Sequence, residues 1–285
     1  MKQSASNRQF LYEVVPIRLF LVVMLVFYHA FAIFTGAWDP IDGYPKIPVY
    51  NILGNLSYAC LLETFVFISG YVFGSQVRIK GETVLSAKSI FVKKFKRLII
   101  PSIIFSIAYL FIFGNVNQPI LRTIYQILCG VGHMWFLPML YWCFIIVYIL
   151  EKLKIRKNIA VMLLLFLSVI SYLPLPLGLG SALYYAISFY IGYLIQKNDY
   201  TVRIDNKKTI LIGFVGFICF FILKLAFANS VGIQLFDIEI LDKAINLSLS
   251  SFIRLVCAAF GICLLYGLSR LFVSTSLIGN WGGVR

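Results

Sequence analysis

The sequence predicts an all-α polytopic membrane protein, a transmembrane bundle of about eight helices. Three observations predict it. Of its 285 residues 61% are hydrophobic and only 13% charged, with a mean hydropathy of +0.91, against the roughly 45–50% apolar and 25% charged usage of soluble domains. The apolar residues form runs, most of them close to the roughly 17–25 residues that cross a hydrocarbon core. The basic residues gather in short clusters between alternate runs, the pattern of a chain whose positive loops stay on one side of the membrane.

The runs fall near 15–36, 51–75, 98–114, 134–150, 159–174, 181–195, 209–227 and 250–269, the third to sixth being short. Lys2 and Arg8 precede the first. No small-residue cleavage site follows His29, so this run reads as a retained anchor rather than a cleaved signal. With the N-terminus placed inside, the inner segments collect Lys2 and Arg8, then Arg78 to Arg97, Lys152 to Lys157, Lys197 to Lys208, and finally Arg270 and Arg285. The outer loops hold Lys46, Arg122 and Lys243 with Asp39, Asp42, Asp237, Glu239 and Asp242, while Lys224 and Arg254 lie near span ends. An even number of spans with both ends cytoplasmic fits this bias. No polar connection is long enough for a separate soluble domain, so residues 10–285 read as a single membrane domain.

The net charge of +14 does not indicate nucleic acid, because the cations are split among the loops with no aromatic-basic binding pattern beside them. Cys60, Cys129, Cys143, Cys219, Cys257 and Cys263 are scattered through apolar runs without metal-ligand spacing, and they read as small packing residues with no metal site. No internal repeat is visible, which counts against a carrier built from inverted repeats.

Ionisable groups inside spans cost about 2.5–3.5 kcal/mol each on insertion scales, so Arg18, His29 and Glu63 call for explanation. Arg18 and His29 lie eleven positions apart in the first run, about 20° from whole turns and about 16 Å along a helix axis. They share one face at two depths. Arg18 alone suits a snorkelling anchor and His29 an interfacial histidine. Together they suit a fixed cation for phosphate at one end and a neutral imidazole that accepts a proton at the other. Glu63 sits mid-span, where a carboxylate is paired, protonated or lining a wet cavity; Arg18 and His29 are candidate partners.

Farther on, Phe67-Ile68-Ser69-Gly70-Tyr71 contains a small pair that lets helices approach closely. The basic stretch through Lys93, Lys94, Lys96 and Arg97 to Pro101 anchors on anionic lipid or clamps a polyphosphate, or both. His133-Met134-Trp135-Phe136-Leu137 opens the fourth span, with Trp135 in the interfacial belt and His133 a candidate to face the same cavity as His29.

In this order the segments resemble the membrane-bound acyltransferase family 3, the O-acyltransferases that modify bacterial surface glycans. The likeness rests on Arg18 and His29 with ten residues between them, on Phe67 to Tyr71, on the basic run before Pro101 and on His133 to Leu137. It covers residues 10–150 with motifs and the remainder by hydropathy. It implies a helical domain that takes an acyl group, commonly acetyl, from a coenzyme A thioester at the cytoplasmic face of the plasma membrane. The group goes to a hydroxyl of a surface glycan or lipid-linked sugar. Arg18 and His29 match the family's essential arginine and histidine. Lys94 and Arg97 match an Arg-x-x-Arg element in which lysine replaces the first arginine, trading a bidentate fork for a point charge. Glu63, Lys94, Arg97, His133 and Trp135 are then candidate substrate-binding residues, and His29 with Arg18 the candidate catalytic pair. Ser276 to Trp281 looks like the lead into the family's last helices, so a domain truncated at its C-terminus is expected. The rivals are a transporter or flippase of a lipid-linked sugar, in which the same groups line a polar path, and an inactive remnant.

Overall fold

The computed structural model describes residues 11–38, 45–113, 119–172, 175–203, 206–228 and 239–275. All the regular structure among them is helical: α1 Val14–Thr35, α2 Pro48–Tyr58, α3 Leu61–Lys80, a π-helical turn Lys88–Lys94, α4 Phe95–Phe113, α5 Ile120–Cys129, α6 Phe136–Lys152, α7 Lys157–Val169, α8 Leu179–Lys197, α9 Asn206–Ala228 and α10 Glu239–Thr275, with short 3₁₀ turns between. Among the described residues, seven segments are long and apolar enough to cross a membrane: Val14–Thr35, Pro48–Lys80, Lys88–Phe113, Gly132–Lys152, Pro176–Lys197, Asn206–Ala228 and Glu239–Thr275. The protein is an all-α polytopic membrane bundle. The expected span near 159–174 is the 13-residue α7, about 20 Å of helix against a hydrocarbon core of about 30 Å.

Polar contacts fix which ends meet. At one end Arg78 pairs with Asp199, Lys197 Nζ lies 2.6 Å from Glu151 Oε2, Lys157 Nζ donates to the Tyr200 hydroxyl at 2.9 Å, and Arg270 donates to the Thr201 carbonyl at 2.7 Å. Tyr71 donates to the Glu13 carboxylate and Ser269 to the Glu13 carbonyl, which brings the start of α1 to the same end. Because this end holds the lysine- and arginine-rich loops, it is the basic end of the bundle. At the other, Trp142 Nε1 donates to the Leu177 carbonyl at 2.9 Å and Asn51 to the Phe34 carbonyl at 2.8 Å. Short as it is, α7 therefore runs from the Lys157 end toward the Leu177 end.

The bundle is centred on α3 and α8, each of which buries more side chains than any of the remaining helices, whereas α1, α4 and α9 bury few. Without a hydrophobic force between helices in lipid, close backbone approach through small residues is what holds them. A Cβ at Gly70 would run into the Phe189 carbonyl, one at Gly74 into the Tyr193 carbonyl, and one at Gly192 into the Phe67 carbonyl. Phe73, Phe144 and Phe189, with centroids 4.8–6.1 Å apart, pack α6 against this pair.

Two irregularities shape the site. The second span breaks at Cys60, whose backbone (φ −135°, ψ 10°) is not helical, so that α3 starts inside the bundle with Glu63 in its first turn. The third enters through the π-helical turn, an arrangement frequent at functional sites, and Pro101 inside α4 leaves the Arg97 carbonyl without its usual i+4 donor.

Replacing Gly192 or Gly70 with leucine inserts a side chain where two backbones touch. The expected result is a fall in the thermal midpoint of the detergent-solubilised protein corresponding to about 1–3 kcal/mol or more. An unchanged midpoint would contradict this packing.

Candidate functional site

A cavity of about 520 Å³ opens at the end opposite the basic loops, lined by Tyr28 and His29 of α1, Trp38, Tyr58 of α2, Leu62 and Phe65 of α3, Tyr109 of α4, and His133, Trp135 and Phe136 before and at the start of α6, among others. His29 Nδ1 lies 2.7 Å from the Leu25 carbonyl one turn back. A carbonyl only accepts, so Nδ1 carries the proton, and in the neutral ring Nε2 is left with a free lone pair. The His133 ring stands edge-on to His29 at 4.5 Å, and Trp38 is 5.9 Å from His29 and 6.3 Å from His133.

The loop that carries His133 is held by α4. Ser102 and Ser106, one turn apart and both buried, meet it with a hydrogen bond from Ser102 to the Met134 carbonyl at 3.4 Å and another from the Val131 amide to Ser106 Oγ at 3.0 Å. Gly130 and Gly132 have positive φ (84° and 56°), which other residues adopt only with strain. A Cβ on Gly130 would also strike the Met134 backbone. These glycines turn His133 back toward α1.

A second, smaller pocket of about 150 Å³ lies toward the basic end, lined by Arg18 of α1, Ser69, Val72, Phe73 and Gln76 of α3, Lys94, Arg97 and Leu98 at the start of α4, and Leu140 and Phe144 of α6. The Lys94 ammonium sits 3.9 Å from the Phe144 centroid and 5.2 Å from that of Phe73, a cation–π arrangement that lets a charge enter an aromatic wall. Three cations on one small pocket fit a polyphosphate head group, to which Arg18 and Arg97 bring planar donor forks and Lys94 a point charge.

Both chambers lie on the same helices. Along α3 the lining steps from Leu62 and Phe65 to Ser69, Val72, Phe73 and Gln76, and along α6 from Phe136 to Leu140 and Phe144, at the three- and four-residue spacing of a single helix face. Between them Phe65 and Phe136 meet edge to face at 6.4 Å. Arg18 and His29, as their spacing predicts, look into the two ends of this seam, about 16 Å apart along α1.

Glu63 lies elsewhere. It is 3% exposed and does not line either chamber. Its carboxylate accepts from Tyr184 at 3.2 Å and from Arg254 Nε at 3.3 Å, and the guanidinium also donates to the Tyr185 hydroxyl at 3.0 Å and stacks on Tyr184. The first turn of α3 adds favourable amide dipoles. Glu63 thus ties α3 to α8 and α10 and pairs with neither Arg18 nor His29.

His29, His133 and Trp135 come together in the large cavity, and Arg18, Lys94 and Arg97 in the small one. Trp38, Tyr58, Tyr184, Tyr185 and Arg254 are not among the candidate site residues that the sequence suggests. Arg254 carried a signal, since it falls within the predicted span 250–269 and complements Glu63 in charge. The six cysteines are free, with Cys143 and Cys257 buried and Cys219 exposed on the bundle surface.

A family model described as an acyltransferase domain matches residues 17–281. No curated protein and no solved structure matches the chain.

Breaking the Glu63–Arg254 pair leaves a charge without its partner. For Glu63→Ala the expected loss of stability lies toward the low end of the about 3–5 kcal/mol typical of buried pairs, because 39% of the Arg254 side chain is exposed. Thermal unfolding of Glu63→Ala, Arg254→Met and the double variant measures the coupling. Additive losses would show that the pair contributes nothing.

Proposed function

This chain belongs to the acyltransferase family 3, and from that premise we propose that it moves an acetyl group from acetyl-CoA at one membrane face to a hydroxyl of a surface glycan or lipid-linked sugar at the other. The basic end is cytoplasmic in this reading, in keeping with the positive-inside rule, the membrane is the plasma membrane, and both the N-terminus and the donor are on the inner side. The observation that carries the proposal is the seam itself: three cations at one end, two imidazoles at the other, and one helix face joining them.

Arg18, Lys94 and Arg97 hold the donor's phosphates at the inner pocket. The pantetheine arm, long and thin, extends along the seam toward His29, and the Phe65–Phe136 pair parts to admit it. His29 Nε2, the bare nitrogen of the neutral tautomer that holds its proton on Nδ1 against the Leu25 carbonyl, takes the proton of the acceptor hydroxyl. The hydroxyl oxygen attacks the thioester carbonyl carbon, the carbon–sulfur bond breaks, and the departing thiolate takes the proton back from His29. Free coenzyme A and an O-acetyl ester result, with His29 returned to its starting state. His133, edge-on to His29, orients the base and the acceptor.

General-base catalysis contributes about 10²–10⁴-fold, so His29→Ala is expected to lower transfer of radiolabelled acetyl from acetyl-CoA to membrane glycans by that factor at equal expression. Arg97→Ala is expected to raise the KM for acetyl-CoA with a smaller effect on kcat. Absence of label with the native chain, properly inserted, would overturn the proposal. Label that persists undiminished in His29→Ala would remove His29 from the chemistry.

A further inference from the structure

Resting on that reading, one residue of the larger cavity has no part yet. Tyr28 stacks on Tyr58 at 4.2 Å, Phe65 meets Phe136, Tyr109 packs on Phe113 at 5.0 Å, and Trp135 lies between Phe136 and Tyr185. Among the described residues, the ring neighbours of Trp38 are the two imidazoles alone. It is 45% exposed yet lines the cavity. A left-handed Gly36 (φ 75°) ends α1, and the Trp38 amide turns back to the Ala32 carbonyl at 3.4 Å. That turn directs the indole over the cavity mouth, beside His29 and His133.

An indole face left open beside a general base is what a saccharide ring needs. The C–H bonds of a pyranose project from its faces and pack against an aromatic surface, while its hydroxyls project from the rim. We propose that Trp38 is the platform on which the acceptor's sugar ring stacks, holding a rim hydroxyl toward His29. The ring planes of Trp38 and His29 are inclined at 42° with centroids 5.9 Å apart, so a ring laid on the indole has its edge at the imidazole. The described lining contains no Lys, Arg, Asp or Glu, which selects an uncharged sugar residue at this position, since a charged one would be desolvated without a partner. Trp38 is a binding residue in this scheme, with proton transfer left to His29.

An interfacial tryptophan that only anchors the protein in lipid would behave differently. In nanodiscs, with acetyl-CoA as donor, Trp38→Ala is expected to raise the KM for a neutral methyl hexopyranoside about tenfold. The KM for acetyl-CoA and the transfer to glycerol, which has no ring to stack, remain as in the native protein. Trp38→Phe retains most of the glycoside affinity, and Trp38→Leu, equally apolar but without a π face, does not. An unchanged glycoside KM in Trp38→Ala, or an equal loss toward glycoside and glycerol, would overturn the proposal. Calorimetric titration with the same glycoside reads binding without turnover. If the native protein acetylates neither acceptor, the acyl-transfer reading fails, and the titration alone decides Trp38. Binding lost in Trp38→Ala and kept in Trp38→Phe upholds the platform, whereas binding that is absent, or indifferent to the substitution, overturns it.

Discussion

The backbone contact between α3 and α8 is the constraint on which the rest of this protein depends. Gly70 and Gly74 on one helix and Gly192 on the other bring main chains so close that a single methyl group would collide with a carbonyl. In lipid, where apolar side chains gain little by leaving the solvent, such proximity supplies the dispersion contacts that keep helices together. With α3 fixed at the centre, its other face becomes the wall of both chambers. From Leu62 to Gln76 it presents first apolar and aromatic groups to the imidazoles, then a hydroxyl and an amide to the cations. The break at Cys60 releases α2 to follow α1 and lets α3 begin inside the bundle, with a carboxylate in its first turn.

Charges inside a bilayer are expensive, and here they follow two patterns. Glu63 and Arg254 satisfy each other with help from Tyr184 and Tyr185, and their effect is to join three helices. Arg18, Lys94 and Arg97 have no carboxylate within ion-pair distance among the described residues; they converge on a pocket instead. Packing the Lys94 ammonium against Phe73 and Phe144 lowers the cost of holding it there without neutralising it. A cluster of like charges kept apart from acids is built for an anionic guest, and the proposed donor supplies one.

Much of this was legible in the sequence. Hydropathy located every long helix, because crossing the membrane requires a length that no other constraint imitates. The eleven-residue spacing of Arg18 and His29 gave their shared face, because within one helix geometry follows from position. Ser69-Gly70 announced a close approach, though not its partner. What remained hidden depends on which helices meet. The Glu63–Arg254 pair spans 191 positions, and nothing local to Glu63 names α10. The break at Cys60 has no proline or glycine at the site itself and comes from tertiary packing. The amphipathic α5, at ten residues, is too short to register as a span, and α7 reaches across only with help from its flanking segments. Trp38 lies outside the apolar runs, where its role depends on a turn after α1 that hydropathy does not see.

The central claim is that one seam joins a donor chamber at the basic end to an acceptor chamber at the opposite end. Its most direct test is sidedness, measured in sealed vesicles of known orientation with membrane-impermeant labelled acetyl-CoA supplied to one face and a trapped glycan acceptor at the other. The account predicts that label reaches the acceptor only when acetyl-CoA is offered at the face bearing the lysine- and arginine-rich loops. Transfer that requires both substrates at the same face would contradict it.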